Sequence, residues 1–223
     1  MTFALRRDAI GLLIAFGMLL TWDASGFDLL VSRALGSASG FAWRAHWLTA
    51  GVLHEGGRVA GWVALAAAMT WRGLPWRVRG WWLATTLACV LFISLLKAAS
   101  STSCPWSLAE FGGVARYVSH WQFGVTDGGG GRCFPSGHAA SAFALLPGAY
   151  ALAGATARRW LAAVLLAGAL LGMAQVMRGA HYASHVLWTG WWCWLLSAVS
   201  HHGTSRWRAT GASFTPAGCG TVP

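Results

Sequence analysis

A short polar run, Arg132 to His138 (Arg-Cys-Phe-Pro-Ser-Gly-His), joins a long loop to an apolar stretch and carries groups that can do chemistry. Pro135, Ser136 and Gly137 are turn and helix-capping residues, so backbone N–H groups stay free at the start of a helix, where an anion is stabilised. Arg132 adds a fixed positive charge, and His138 exchanges a proton near neutral pH. The run therefore predicts a phosphate-binding turn beside an acid–base group.

Two further clusters place ionisable or polar side chains at the ends of apolar segments. They comprise Lys97, Cys104 and Pro105 in one cluster and Gln175, Arg178, His181 and His185 in the other. His181 and His185 have the i, i+4 spacing that puts two side chains on one face of a helix. Because ionisable groups at membrane helices are usually functional, the clusters predict a single site.

Together, the three clusters resemble the motifs of the type 2 phosphatidic acid phosphatase (PAP2) superfamily. That family's pattern is Lys, six residues, Arg-Pro; then Pro-Ser-Gly-His; then Ser-Arg, five residues, His, three residues, Asp. Lys97, Pro105 and His181 fit the first and third motifs, and Pro135 to His138 match the second in full. The resemblance spans roughly residues 97–192. It implies an all-α polytopic membrane protein, with six transmembrane helices, that removes phosphate from a lipid.

The resemblance also implies a mechanism in two displacements. His181 would attack phosphorus and form a phosphohistidine, and His138 would protonate the leaving oxygen and then act on the incoming water. Lys97, Ser136 and the Gly137 N–H group would hold the phosphate oxygens as charge develops on them. Cationic side chains neutralise that charge, so the resemblance implies no metal and no other cofactor.

His185 stands where the family has Asp. A neutral imidazole can accept a hydrogen bond and orient His181, although it stabilises a positive imidazolium less well than a carboxylate does. His181 and His185 also have metal-ligand spacing, and with His138 or a cysteine they could hold zinc. The family chemistry remains the favoured interpretation, and the zinc site is an alternative.

Cys104 and Gln175 stand where the family has arginines, which removes two bidentate phosphate contacts. Arg132 and Arg178 are the expected replacements, with Gln175 beside them. Cys104 and Cys133 both fall on the same predicted outer loop, where an oxidising compartment would allow a disulfide that ties two of the motifs together. The substitutions also leave open a non-catalytic relative that binds or transports lipid.

The elements that position these residues are apolar. The 223-residue chain is 56% apolar and only 10% charged, against about 25% charged residues in a soluble domain. Its mean hydropathy is +0.52. The formal net charge of +10 comes from basic residues between apolar segments, which favours contact with anionic membrane lipids and argues against a nucleic-acid partner.

Since a span takes about 20 mostly apolar residues, we expect six membrane spans. These are residues 8–22, 58–71 (starting as early as residue 47), 80–96, 138–154, 160–177 and 185–200. Phe27, Leu30, Val31 and Leu35 have near-helical spacing and predict a surface-lying amphipathic helix. We expect one domain over residues 1–202, with the site in residues 97–192, and a disordered polar tail over 203–223.

The placement of arginines favours both termini on the cytoplasmic side. Short loops and tails on that side would hold Arg6, Arg7, Arg72, Arg77, Arg79, Arg158, Arg159, Arg206 and Arg208. The three clusters would then face the periplasm or exterior of an inner membrane. His54 and Glu55, from the first outer loop, would border the site, although a Gly-rich turn explains them as well.

The expected function is hydrolysis of a lipid phosphate or diphosphate, of the polyprenyl diphosphate, lipid A phosphate or phosphatidic acid type. Transfer of the phosphoryl group to another lipid through the same intermediate is the alternative within the same chemistry.

Overall fold

The computed structural model describes residues 3–210, with the side chains of 206–210 left out, and this part of the chain is mostly helical. The helices are α1 Phe3–Ser25, α2 Phe27–Leu35, α3 Gly57–Met69, α4 Trp76–Ala99, α5 Ala140–Phe143, α6 Gly148–Ala151, α7 Gly154–Met177 and α8 Ala183–Thr210. A π-helical segment, Trp47–Gly56, runs directly into α3. The remaining elements are the 3₁₀ turns Pro105–Ser107 and Ala109–Phe111 and the antiparallel strands β1 Gly36–Ser37 and β2 Gly40–Phe41.

Two of the described helices are long and apolar enough to cross a membrane. They are α4 and α7, whose mean hydropathies reach 1.8 and 1.9. Helices α1 and α2 meet at a bend of 65° and form a third candidate if they are taken as one span. Helix α2 covers the predicted amphipathic stretch, and α3, α5, α6 and α8 fall at the positions of other predicted spans.

The predicted span over residues 138–154 is a broken helix. Its apolar core, Ala140–Ala151, is interrupted by turns before Pro147, which has no N–H group to donate to a helical hydrogen bond. At 1.5 Å per residue this stretch is about 18 Å long, short of the roughly 30 Å of a bilayer core. It is therefore too short to span a bilayer alone.

Close approaches at glycines hold the helices together. A Cβ atom at Gly148 would stand 2.3 Å from both Trp160 Nε1 and Trp82 Cζ2, and one at Gly172 would stand 2.2 Å from Val186 Cγ1. Small residues allow such close helix packing where apolar burial alone does not favour association. Helix α8 packs along α1 and α4, and α7 packs against α5, α6 and the π-helical segment.

At one end of the bundle, a buried carboxylate joins three helices. Asp8 of α1 accepts hydrogen bonds from the Tyr150 hydroxyl at 3.1 Å and from His202 Nε2 at 3.0 Å. Tyr150 lies in α6 and His202 in α8. Buried polar groups are stable only with partners, so this cluster fixes the ends of the three helices relative to one another. Helix α8 continues to Thr210, past the predicted domain end at 202, and the rest of the predicted tail lies outside the described residues.

The opposite end, where α4 and α7 finish and α8 begins, is covered by the loop between α4 and α5. This loop contains a run of four glycines, residues 128–131, and this glycine run is anchored. Asp127 accepts hydrogen bonds from Ser103 Oγ at 2.8 Å and from Gly129 N at 2.9 Å. Ser103 Oγ in turn accepts from Gly131 N at 3.1 Å. These hydrogen bonds hold the glycine run against the start of the same loop.

Helix α2 and the hairpin cover the same end from the other side. Asp28 of α2 accepts hydrogen bonds from the backbone N–H of Ser184, at 3.0 Å, and from its hydroxyl. Phe41 of β2 packs against Phe111 at 4.9 Å between ring centroids. Phe41 also fills the space beside Gly179, whose φ of 68° favours glycine. The turn between α7 and α8 is thus held in place on both flanks.

Candidate active site

A polar cavity of about 470 Å³ opens at the covered end of the bundle. Its walls are formed by His54, Arg58, Lys97, Cys104, Trp106, Ser107, Gly130, Gly131, Arg132, Gly137, His138, Gln175, Arg178, Ala180 and His181. All three sequence clusters reach it, together with the π-helical segment and the start of α3. The predicted residues Ser136, Cys133 and His185 lie behind the wall and are buried.

His181 lies in the turn between α7 and α8 and is 5% exposed. Its Nδ1 atom is 3.6 Å from Cys133 Sγ. Burial, and after it the positive charge of Lys97, lowers the pKa of His181 to about 3. The imidazole is therefore neutral at physiological pH, which is the form that has a lone pair to donate.

His138 is held by the backbone and by a second imidazole. Its Nε2 atom is 3.1 Å from the Leu53 carbonyl oxygen. Because a carbonyl only accepts, Nε2 carries the proton and Nδ1 is left for other partners. The His138 ring stacks on that of His54, with centroids 4.2 Å apart and planes at 26°. His54 thus reaches the site, as one of the two sequence interpretations expected.

Lys97, near the end of α4, lies beside the turn that precedes α5. A Cβ atom at Gly137 would stand 3.6 Å from Lys97 Cδ and 3.8 Å from Nζ. Glycine at this position keeps the ammonium group and the Gly137 backbone next to each other. Both can therefore contact one anion from the same side.

Two hydrogen bonds fix the guanidinium of Arg178, the residue that directly follows α7. Its Nε donates to the Arg44 carbonyl at 3.0 Å and its Nη1 to Gln175 Oε1 at 3.2 Å. The Arg44 guanidinium in turn stacks over the Trp106 ring at 4.7 Å from the centroid, a cation–π distance. Gln175, in place of the family's arginine, thus positions another arginine at the cavity.

Arg132 enters from the anchored loop. Its backbone adopts a left-handed conformation, with φ of 58°, and its N–H donates to the Ser100 carbonyl at 2.7 Å. A left-handed non-glycine residue costs about 1–3 kcal/mol and persists only where its surroundings hold it. The glycine run and the Asp127 hydrogen bonds supply that constraint and direct Arg132 to the cavity.

Behind the wall, Ser136 and His185 belong to a buried polar layer. Ser136 Oγ accepts from Ala139 N at 3.4 Å, the capping interaction of a turn. His185 Nδ1 lies 3.1 Å from the Cys133 carbonyl oxygen, and the ring centroids of His185 and His181 are 6.1 Å apart. Thr189 donates to the His185 carbonyl at 2.7 Å. These residues support the turn that carries the cavity residues.

A disulfide joins Cys104 to Cys133 across a sequence separation of 29 residues. It ties the first motif to the second, as the sequence suggested. Cys104 lines the cavity, whereas Cys133 is fully buried beside His181. The ligand atoms of Cys104, Cys133 and His181 all lie within 4.8 Å of one another. Among the described residues, His185 does not belong to this group of closely spaced ligand atoms, which differs from the zinc set that the sequence offered as an alternative.

Sequence reasoning missed Arg58, Arg44 and Trp106. Arg58 lines the cavity and pairs with Glu55 at 3.4 Å, while Glu55 also contacts His54 Nε2 at 3.6 Å. The run from His54 to Arg58 carried a signal, since it places several ionisable groups at the start of an apolar stretch. For Arg44 and Trp106 the local sequence carried none.

Comparison with known proteins agrees with the motif resemblance. A search of curated proteins and a search of solved structures find no match to the chain. The sequence profile described as PAP2 superfamily matches residues 79–209. The match covers α4 except its first three residues, all of α7, and α8 except its last residue. It also includes every cavity residue except His54 and Arg58. Two to three helices that could cross a membrane and a cation-lined cavity that contains His138 and His181 agree with this match. The chain therefore belongs to the PAP2 superfamily.

Proposed function

We propose that this protein is a membrane lipid phosphatase that works through a phosphohistidine on His181. One observation carries the proposal: a neutral imidazole and a second histidine, His138, share a cavity with Lys97, Arg132 and Arg178. Family membership supports phosphatase activity in general. The lipid substrate, the intermediate and the side of the membrane are our inferences.

The tautomer of His181 follows from its contacts. Nδ1 is the nitrogen that contacts Cys133 Sγ. Because a disulfide sulfur has no proton to donate, this contact requires an N–H group on Nδ1. The lone pair is then on Nε2, which attacks phosphorus, while the bond to the leaving oxygen breaks. The Cys133 sulfur takes the orienting role that the family gives to its Asp.

His138 supplies and later removes a proton. In its protonated form it gives the proton of the nitrogen not bound to Leu53 to the leaving lipid oxygen. It then accepts a proton from the water that hydrolyses the phosphohistidine. Lys97, Arg132 and Arg178 hold the phosphate oxygens and offset the charge that builds on them. No resident cofactor is part of this scheme.

The surroundings of the cavity favour a lipid over a free phosphate ester. A second cavity of about 160 Å³, mainly apolar, lies between α3, α4 and α5 and shares Arg58 and Gly137 with the polar one. A third, almost entirely apolar, of about 340 Å³ lies between α3, α5 and α7 and shares Gly61, Ser141 and Leu145 with the second. A phosphate in the polar cavity thus has apolar space next to it for a hydrocarbon chain. A polyprenyl diphosphate, a lipid A phosphate and a phosphatidic acid all meet this requirement.

The proposed membrane arrangement has six spans, with both termini in the cytoplasm and the cavity on the outer face of an inner membrane. In this arrangement the residues that flank the short helical stretch Ala140–Ala151 complete the fourth span. The excess of arginines in short loops on the opposite side supports this orientation. The Cys104–Cys133 disulfide supports it independently, since structural disulfides persist in oxidising compartments.

The test is phosphate release from a panel of lipid mono- and diphosphates by the purified protein in detergent with a chelator present. We expect release by the wild type, loss of release in His181→Gln, and a decrease of about 10²–10⁴-fold in His138→Gln. The control is His202→Gln, the same change at the opposite end of the bundle, which should retain activity. Quenching during turnover with labelled substrate should trap phosphate on the wild-type chain, in an acid-labile, alkali-stable form.

Each alternative gives a different result. Trapped phosphate that is released only when a second lipid is added would identify a phosphotransferase. Unchanged release in His181→Gln would refute the phosphohistidine. Specific lipid binding without trapped phosphate or release, for every lipid tested, would identify a non-catalytic relative.

A further inference from the structure

The disulfide and the proposed nucleophile are in direct contact. Cys133 Sγ lies 3.6 Å from His181 Nδ1, and Cys104 Sγ belongs to the same group of atoms within 4.8 Å. Cys104 stands where the family motif has an arginine, so the motif itself does not supply this cluster. Two thiolates and one imidazole are a ligand set that zinc and other soft divalent cations prefer.

We propose that reduction of the Cys104–Cys133 disulfide creates a Cys₂His metal site that captures His181. A bound Zn²⁺ would then hold the imidazole and prevent its attack on phosphorus. The metal site itself is independent of the reaction; the inhibition that follows from it rests on the proposed phosphatase function.

The geometry suits a tetrahedral metal after a small movement. With Zn–S bonds of about 2.3 Å, two thiolates on one tetrahedral zinc lie about 3.8 Å apart. The Cα atoms of Cys104 and Cys133 are 5.1 Å apart, so the separation of the sulfur atoms needs mainly side-chain rotation. Solvent from the polar cavity, whose wall includes Cys104, completes the coordination.

Charge and protonation also suit the site. His181 is neutral, which is the form that binds a metal. The cations facing it are Lys97 from α4 and, farther off, His54 and His138 when protonated. Two thiolates bring two negative charges that balance a divalent cation beside Lys97. In the oxidised protein those charges do not exist, so metal affinity depends on the redox state.

The reduction is a thiol–disulfide exchange with a small dithiol, and its stoichiometry is balanced. A dithiol thiolate enters the cavity and attacks Cys104 Sγ, because Cys133 is fully buried. The Cys104–Cys133 bond breaks, a mixed disulfide forms on Cys104, and Cys133 leaves as a thiolate. The second thiolate of the reagent then displaces Cys104 and closes a cyclic disulfide. Two electrons pass to the protein, and metal binding displaces any protons from the two thiols.

The experiment uses full-length protein in detergent with Cys89, Cys193 and Cys219 replaced by alanine, so that only the Cys104–Cys133 pair can respond. Oxidised and dithiol-reduced samples are titrated with Cd²⁺ and followed by thiolate-to-metal charge-transfer absorption. Zn²⁺ affinity is measured by competition with a chromogenic chelator. We expect one ion per reduced chain and no charge-transfer band in the oxidised chain.

Two variants distinguish a built site from loose thiol binding. His181→Ala should weaken Zn²⁺ binding about 10-fold or more, since a ligand is lost, whereas His54→Ala, in the same cavity, should leave it within about twofold. Binding to the native state should raise the melting temperature of the reduced protein. Equal affinity in His181→Ala and its parent, or no charge-transfer band in folded reduced protein, would overturn the proposal.

Turnover is measured separately, in wild-type protein. Zn²⁺ should inhibit phosphate release after reduction and not before, and a chelator should restore it. Equal inhibition of the oxidised and the reduced protein would mean that zinc inhibits from another site, and it would refute the proposal that zinc binds His181. A chain that binds metal as predicted but releases no phosphate in either form would refute the proposed function while leaving the metal site supported.

Discussion

The pKa of His181 gives a prediction about stability and pH. Replacing His181 with glutamine should make the protein less sensitive to acid than the wild type. An ordinary histidine has a pKa of 6.5, whereas burial beside Lys97 lowers that of His181 to about 3. Between these values the unfolded chain takes up a proton that the folded chain does not. Stability therefore falls as pH falls from about 6.5, and this position contributes no pH dependence above that value.

The magnitude follows from linkage. Each pH unit below the unfolded pKa favours the unfolded state by about 1.4 kcal/mol, down to the folded pKa. Between pH 6.5 and 4.5 the wild type should lose about 2–3 kcal/mol through His181 alone. For a chain of this size that corresponds to a decrease of about 5–10 °C in melting temperature. The variant lacks this contribution, although other titrating groups still act on it.

The assay is thermal unfolding in detergent at a series of pH values, for the wild type and His181→Gln. The quantity compared is the difference between the two melting temperatures, which removes contributions common to both proteins. His46→Gln, outside the cavity wall, controls for the exchange of an imidazole for an amide. Melting temperatures that decline in parallel in all three proteins would show that His181 is solvated and titrates normally, and the reasoning would be refuted.

Three further changes test other parts of the structure. Lys97→Met should lower kcat/KM for a lipid phosphate by about 10²–10³-fold, as expected for loss of one group that stabilises transition-state charge; a wild-type rate would remove Lys97 from the site. Cys104→Ala should lower the free energy of unfolding by about 3–4 kcal/mol on the chain-entropy model, since the disulfide closes a separation of 29 residues. An unchanged free energy of unfolding, measured by denaturant titration, would contradict this. Gly148→Ala should destabilise by about 1–3 kcal/mol, because a Cβ atom there meets two tryptophan rings. Gly80→Ala, with nothing within 4 Å of its Cβ position, is the control and should be neutral or slightly stabilising; similar losses in both would mean that packing at Gly148 is loose.

The site could be predicted largely because its residues lie at helix ends. Lys97, Arg132, His138, Arg178 and His181 each stand within a few residues of an apolar segment, so the direction of the segments determines where they meet. The structure brings the ends of α4 and α7 and the start of α8 to one side, and these residues line one cavity there. Motif spacing and helix direction together were sufficient for this part of the site.

The contributions of Arg58, Arg44 and Trp106 could not be predicted, since they depend on how the chain before α3 folds over the cavity. The π-helical segment puts Leu53 and His54 against His138, and Arg44 reaches Arg178 through a backbone carbonyl. Such tertiary contacts leave no local pattern. The burial of Ser136 was also hidden, since its motif position is compatible with both a cap and a phosphate contact.

The same limit applies to the membrane spans. Composition identifies α4 and α7 without ambiguity, because each is long and has its charged residues near its ends. The stretch around α5 and α6 is also apolar, but Pro147 and the turns before it break the helix. Hydropathy reports apolar content and is insensitive to such breaks, so it overestimated the regularity of this span.

The substitutions at Cys104 and His185 are physically linked through Cys133. Cys104 binds the Cys133 sulfur, and His185 Nδ1 lies 3.1 Å from the Cys133 carbonyl oxygen, to which it must donate. Restoring the family's carboxylate in His185→Asp would set two acceptors against each other in a buried layer. This should destabilise the protein by about 1–3 kcal/mol.

His185→Asn is the matched comparison, because its amide can donate to the same carbonyl. We expect the asparagine variant to keep more stability and more activity than the aspartate variant, measured by thermal unfolding and by phosphate release. The opposite order would mean that a carboxylate at this position still reaches His181, as in the family motif. The Cys133 carbonyl would then not be a necessary partner of residue 185.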